Sequence, residues 1–275
     1  MPRAWSVEKR GDVMASTLAD LPQSRIRLPL RPISGGSGEI PQEVQPRRYF
    51  DFARVAMGNG LWEGITHLRY DVYCLECKYL DAAQHPTGRE TDEFDPHSIH
   101  FASTNERKEM VSTLRLVLDS PLGFPLEHHA GTLSGEFRGL PRDKTAEISR
   151  LILAKSYRRR ANDGLYGEEL GDPEKEAAAR AEASYKRSQY PLILFGLFKE
   201  MYMESLSRGL EYWLAAMEPG LQKMLSKFGL GLKQMGDPMR YYGEVIPYYA
   251  SIEELTRFVM ESRPDVFQFF GQPSS

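Results

Sequence analysis

The stretch Ala146–Ala154, AEISRLILA, is the best starting point for reading this chain. Ile148, Leu151, Ile152 and Leu153 give it a strongly β-like character, while Glu147, Ser149 and Arg150 place polar groups inside it. Glu147 and Arg150 are three apart, so on a regular strand they point to opposite faces. For them to act together the strand needs a bulge, and bulges are common beside chemistry.

Upstream of this strand, Met110–Leu118 and Ile99–Ala102 read as antiparallel strands around the polar turn 104–108. Order begins near Tyr49–Val55. Leu61, Ile65, Leu68, Val72, Leu75 and Tyr79 recur at three- and four-residue steps, which predicts a helix over Trp62–Tyr79. Asp81–His97 is rich in acids and prolines and reads as a loop, and Pro121–Arg142 is rich in turns.

Downstream, Ser188–Gly209 is an amphipathic helix and Tyr212–Met217 a buried strand. Pro219 opens a short helix that Gly229 ends. Leu230–Met235 and Tyr241–Tyr249 follow as strands, and Ser251 caps a last helix with Glu254 three residues on. Strands alternating with helices predict a mixed α/β sheet with helices on its faces. Residues 1–47 are rich in Pro, Gly, Ser and Arg and are expected to form a flexible extension. One domain is expected over 48–270, with a charged insertion at about 155–187.

At 275 residues a sizeable core is possible, and 41% apolar with 27% charged residues is ordinary for a soluble globular chain. A formal charge of -3 offers no global field for nucleic acid. No apolar run approaches the roughly 20 residues that span a bilayer, and no signal-peptide pattern opens the chain. A cytoplasmic location is therefore the expectation. Cys74 and Cys77 form a C-x-x-C pair inside a helical pattern, where a redox motif would follow a strand. As zinc ligands they need two partners, and His97 and His100 are spaced more tightly than the usual pair. They are read as reduced thiols on a helix, and no metal is expected. Gly164–Gly171 lacks the preceding strand of a dinucleotide loop.

Three clusters carry the chemistry: Arg69-Tyr70-Asp71-Val72-Tyr73 with Tyr79, then Glu90-Thr91-Asp92-Glu93-Phe94-Asp95, then Glu147-Ile148-Ser149-Arg150, preceded by the strand holding Arg115-Leu116. In this order and spacing they resemble the acyl-homoserine-lactone synthases, with R-x-x-x-F and a later aromatic, E-x-D-x-F-D, a strand with R-L, and E-x-S-R. Tyr73 and Tyr79 stand where those synthases prefer Phe and Trp. Together with the extension and the insertion, this looks more like the N-acyl amino acid synthases, especially the acyltransferases associated with exosortase/PEP-CTERM systems.

The resemblance implies a GNAT-like, mostly antiparallel sheet with a splayed strand pair. It implies acyl carrier protein, or less so coenzyme A, as thioester donor and an amino acid or similar small amine as acceptor, with no tightly bound cofactor. Backbone N–H groups near Arg150–Ile152, hence Leu151 and Ile152, would bind the pantetheine arm and polarise the carbonyl. The alternatives are a lactone synthase using S-adenosylmethionine and a non-catalytic domain binding carrier protein or lipid.

Aminolysis of a thioester needs a neutral amine, so a carboxylate must take its proton. Glu90, Asp92, Glu147 and Arg150 are the expected catalytic set, with Glu90 first as base. Arg69, Tyr73, Tyr79, Asp95, Arg115 and Ser149 are expected to bind substrate. The bland reading is that the three loop acids only neutralise Arg69, Arg115 and Arg150. Arg158, Arg159 and Arg160 suit the phosphopantetheine phosphate or an acidic carrier surface, against a plain solvated turn. Ala161 replaces the first glycine of the pyrophosphate loop R-x-x-G-x-G/A, which weakens the case for coenzyme A. An acyl tunnel would draw on Leu151, Leu153, Phe195, Phe198, Tyr202, Trp213 and Leu214, though a stripe at this spacing is more often plain core. Tyr241, Tyr242, Tyr248 and Tyr249 are expected to border the acceptor pocket.

Overall fold

A computed structural model of the chain describes residues 50–129, 133, 139–157 and 190–271. The expected extension at 1–47 and residues 158–187 of the expected insertion lie outside them. The elements are β1 (Phe50–Val55), α1 (Gly60–Tyr70), β2 (Ser98–Asn105), β3 (Met110–Leu118), α2 (Pro125–His129), β4 (Thr145–Leu153), α3 (Tyr190–Ser207), β5 (Tyr212–Met217), α4 (Pro219–Lys227), β6 (Lys233–Gln234), β7 (Met239–Arg240), β8 (Glu244–Ser251), α5 (Ile252–Ser262) and α6 (Pro264–Gly271).

The strands form a mixed sheet in the order β1-β2-β3-β4-β5-β8-β6, with β7 also on β8. Every pair is antiparallel except β4 with β5. That parallel ladder runs from Thr145↔Tyr212 to Ile148↔Ala215 and stops. Beyond it β4 stays with β3 while β5 continues along β8 to Met217↔Ile246. The two strands therefore part at Ser149, which is the splayed pair expected from the sequence.

The bulge that Glu147 and Arg150 require lies at the same point. Ser149 pairs with Arg115 and Ile152 with Thr113, so Arg150 and Leu151 together face Leu114 alone. Arg150 takes a left-handed backbone, φ 50°, unusual for a residue with a Cβ. The extra residue turns Arg150 to the same side as Glu147, Ser149 and Arg115.

The opposite side of the sheet is apolar. Ile99, Phe101, Leu114, Leu116 and Ile148 pack there against Leu194, Leu197, Phe198 and Met201 of α3. In this core the Trp213 indole donates to Ser205 Oγ at 2.9 Å. Gly196 lets α3 approach β1, since a Cβ there would lie 2.1 Å from Phe52 Cζ. Gly196→Ala gains about 1 kcal/mol of helix propensity but must displace that ring, at about 1–3 kcal/mol. A lower urea midpoint is the expected result, read by circular dichroism.

Asn59 starts α1, its side chain accepting from the Trp62 N–H at 2.8 Å. The expected helix to Tyr79 is not regular throughout: Asp71–Glu76 is a π-turn, with Cys77 N–H bonded to Val72 C=O at 2.8 Å. The π-turn slips the phase by one residue. Val72 stays buried while Leu75 is 51% exposed, against its expected place on the apolar stripe. Lys78, φ 55°, ends the segment, and Tyr79 N–H returns to Tyr73 C=O. Cys74 lies on this turn and Cys77 caps its end, with no disulfide between them.

Other boundaries also shift. The expected strand 230–235 contributes only Lys233–Gln234, and Tyr241–Gly243 form a turn before β8. The turn-rich segment holds α2, and α6 follows α5. The Ser251 cap is present, its side chain accepting from Glu254 N–H. No helix among the described residues is long and apolar enough to cross a membrane.

Candidate active site

The polar side of β3 and β4 lies under α1 and the loop that follows it. That loop folds on its own acids. Asp92 Oδ1 accepts from Phe94 N–H at 3.0 Å, Asp95 Oδ2 accepts from Asp92 N–H at 2.9 Å, and Phe94 is buried as an anchor. A main-chain bond from Glu90 N–H to Thr66 C=O at 3.0 Å ties the loop to α1.

Three guanidiniums and three carboxylates interlock here. Arg69 donates through Nε to Glu90 and through Nη1 to Asp95 at 2.8 Å. Arg115 donates through Nη1 to Asp92 and to Asp95 at 2.7 Å, and through Nε to Ser149 Oγ at 2.9 Å. Arg150 donates through Nη2 to Glu90 at 2.9 Å and Asp92 at 2.7 Å. The formal charges cancel, which is what allows so many to be buried. The Asp92 side chain is 22% exposed and those of the other five at most 3%, so Asp92 is the open end of the network.

Burial pushes the Glu90 carboxyl up, but Arg150 and Arg69 more than offset it and hold it at about 2. Asp95 is held well below the usual carboxylate range by Arg69 and Arg115 against the same burial. His100, opposite Arg115 on β2, is driven to about 4 mainly by burial and stays neutral; its Nε2–H donates to Asp95 C=O at 3.1 Å.

Glu147 behaves oppositely. It is 1% exposed, and its Oε2 accepts from Leu126 N–H at 2.8 Å. Burial dominates and raises it to about 8, outweighing that hydrogen bond and the more distant Arg115 and Arg150, with Glu127 adding to the rise. Two carboxylates on one face are thus pushed far apart in acidity by their surroundings, the pattern that separates acid–base roles in enzymes.

Aromatic rings border the network. The Arg150 guanidinium carbon lies 5.1 Å from the Tyr73 ring centroid and 4.8 Å from that of Tyr242. Tyr73 and Tyr242 stack at 5.2 Å, and Tyr79 flanks both at 6.2 Å. Tyr241 stacks on His129 at 4.0 Å, and its hydroxyl is raised mainly by burial.

Arg69, Glu90, Asp92, Asp95, Arg115, Ser149 and Arg150 thus form one bonded group. Glu147 lies on the same face, and Tyr73 and Tyr79 lie at its edge. Ile152 is buried against Leu68 and Val72, and Leu151 packs against the opposite core. Arg158, Arg159 and Arg160 lie outside the described residues. The expected tunnel set is divided: Leu151, Phe195, Phe198, Tyr202 and Trp213 belong to the main core, Leu153 to a second cluster and Leu214 to a third. Of the four tyrosines, Tyr248 falls on the wrong face, buried in the main core, because β8 pairs it with Ala215. A cavity of about 690 Å³ lined by Gln222, Lys233, Glu254 and Phe258 lies along α4 and α5, away from all these groups. His129 and the Leu126 N–H carried no sequence signal, since α2 sits in a Gly- and Pro-rich stretch.

The sheet splayed at a bulge is the GNAT-like architecture expected from the sequence. Residues 68–166 match the family model described as an acetyltransferase (GNAT) domain, which contains the whole bonded group. Among solved structures, TofI, determined with an inhibitor and MTA, aligns at TM-score 0.50 and 13% identity over 79% of this chain and 99% of that one. The CoA-dependent acyl-homoserine lactone synthase BjaI aligns at 0.47 and 19%, over 77% of this chain and 82% of that one. FeeM, an N-acyl amino acid synthase from uncultured soil microbes, aligns at 0.46 and 14%, over 77% and 96%. The sequence matches no curated protein.

Proposed function

We propose that the chain is an N-acyltransferase that moves a fatty acyl group from a carrier thioester to the amine of an amino acid or similar small molecule. Acyl carrier protein is the preferred donor, ahead of coenzyme A, and its use places the reaction in the cytoplasm. The observation that carries the reading is Glu147, buried beside the bulge where β4 and β5 part, with the Leu126 N–H on its carboxylate.

The amine of a small acceptor titrates at about 8 or somewhat above. Passing its proton to a carboxylate at about 2 is uphill by about 6 units, or ~8 kcal/mol. Glu90, doubly bonded to guanidiniums, is thus a counter-ion, and the proposed base moves from Glu90 to Glu147, whose acidity matches the amine. Glu147 takes the proton directly or through a water. The freed nitrogen attacks the thioester carbon, the C–N bond forms and the C–S bond breaks, and the second proton of the nitrogen passes to the departing thiolate, so amide and carrier thiol are released together. Main-chain N–H groups at Arg150–Ile152, on the β4 edge that β5 leaves open, polarise the carbonyl.

Asp92 and Arg150 form the floor of the acceptor pocket, with Tyr73, Tyr79 and Tyr242 at its rim. Arg69, Asp95, Arg115 and Ser149 hold that floor in place. Arg158, Arg159 and Arg160 meet the carrier's phosphate. Mass spectrometry of lipid extracts from cells expressing the chain, beside an empty-vector control, tests this. A new N-acyl amino acid is expected. A new acyl-homoserine lactone assigns the S-adenosylmethionine route instead, and unchanged extracts count against transfer altogether.

A further inference from the structure

We infer that Tyr242 is a positioning residue that fixes the Arg150 guanidinium beside the bulge, an inference that rests on Glu147 as the base. Among the described residues every hydrogen bond from Arg150 leaves from Nη2, to Glu90, Asp92 and Tyr242 Oη, and its buried Nε has no partner. A guanidinium tied at one nitrogen can pivot. Its orientation is set by the two rings, Tyr73 and Tyr242, each about 5 Å from its carbon.

The Tyr242 backbone supports the same role. Among the described residues, the non-glycine residues with positive φ are Lys78, Lys108, Arg150 and Tyr242. Lys108 belongs to the β2–β3 turn, but the other three converge here: Arg150 and Tyr242 touch at 3.4 Å, and Lys78 precedes Tyr79, which packs on Tyr242. Left-handed backbone at a residue with a Cβ costs about 1–3 kcal/mol and persists where the surroundings enforce it, often at functional sites. The enforcement is visible at Gly243, φ 109°, where a Cβ would lie 2.9 Å from Tyr79 Oη. The turn thus reaches across from β8 to place one ring over Arg150.

The charged or titratable groups around Glu147 are Arg115 on β3, Arg150 on β4, Glu127 on α2 and Tyr241 in the turn. Of these, Arg150 is the positive group that Tyr242 touches; the other group it packs on is Tyr241, ring centroids 4.6 Å apart, which is neutral when protonated. Releasing its guanidinium removes positive charge from beside the Glu147 carboxylate. The pH at which the base loses its proton then rises.

The test is the pH profile of kcat/KM for amide formation in the full chain, for wild type, Tyr242→Leu, Tyr242→Phe, Gly243→Ala and Glu147→Gln. Tyr242→Leu is expected to move the acid limb up by about half a unit to one unit, with a fall of about three- to tenfold at pH 7. Tyr242→Phe keeps the ring and loses one long hydrogen bond, so a fall of about threefold with an unmoved limb is expected. Gly243→Ala puts a Cβ 2.9 Å from Tyr79 Oη at a φ of 109° that strains any residue but glycine, so the turn carrying the Tyr242 ring must shift, and the variant is expected to behave like Tyr242→Leu. A limb that is unmoved or lowered in both ring-displacing variants overturns the inference, as does loss of fold in both. Glu147→Gln separates the two claims: if it keeps wild-type rate and limb, the base assignment fails on its own account.

Discussion

Glu147→Gln is expected to lose catalysis and gain stability together. Removing a general base lowers kcat by about 10²–10⁴-fold, here with the hydrogen-bonding shape of the side chain nearly kept. The stability gain follows from the raised carboxyl, about 8 folded against 4.5 in the free side chain. Below pH 4.5 both states hold the proton and nothing is lost. Between 4.5 and about 8 the unfolded chain has released it and the folded chain has not, so folding becomes less favourable as pH rises through that window. At pH 7 the cost is on the order of 3 kcal/mol. The variant is therefore expected to match wild type in urea melts near pH 4.5 and to exceed it increasingly toward pH 8. Equal stability across that range would mean Glu147 ionises normally, and it would then have no advantage as base.

Arg69→Met is expected to have the largest effect on folding. Arg69 is fully buried and bridges Glu90 to Asp95. Removing it leaves two buried carboxylates short of a partner, at about 3–5 kcal/mol, a large share of a domain's usual ~5–15 kcal/mol. The sign with pH is opposite to that of Glu147. Glu90 is depressed from 4.5 to about 2, so its contribution is complete above 4.5 and disappears as pH falls toward 2. The gap between variant and wild type in urea midpoint is expected to be widest near neutrality and to shrink below pH 4.5. A gap that stays constant in acid would attribute the loss to packing.

Much of this was legible in the sequence where local chemistry decides the outcome. Tyr212–Met217 reads as a strand from composition alone and is one, at the same bounds. The Ser251 and Glu254 spacing marks a helix start that the Ser251 side chain caps. The i, i+3 spacing of Glu147 and Arg150 demanded a bulge, and the β3–β4 register contains it. What could not be read depends on contacts made at a distance. The π-turn at Asp71–Glu76 follows no local propensity, so the regular period misplaced Leu75. The face taken by Tyr248 depends on the register of β8 against β5. The contrast between Glu90 and Glu147 is a matter of neighbours: one carboxylate lies between two guanidiniums and the other meets a single main-chain N–H from a helix that no period announced.

One stoichiometric measurement bears most directly on acyl transfer at the bulge. The purified chain is mixed with an acyl carrier protein thioester and a panel of amino acids, and free thiol and amide are counted in the same reaction. The account predicts one amide per thiol released in wild type and neither above background in Glu147→Gln. Thiol released without amide, or amide formed equally by the variant, would contradict it.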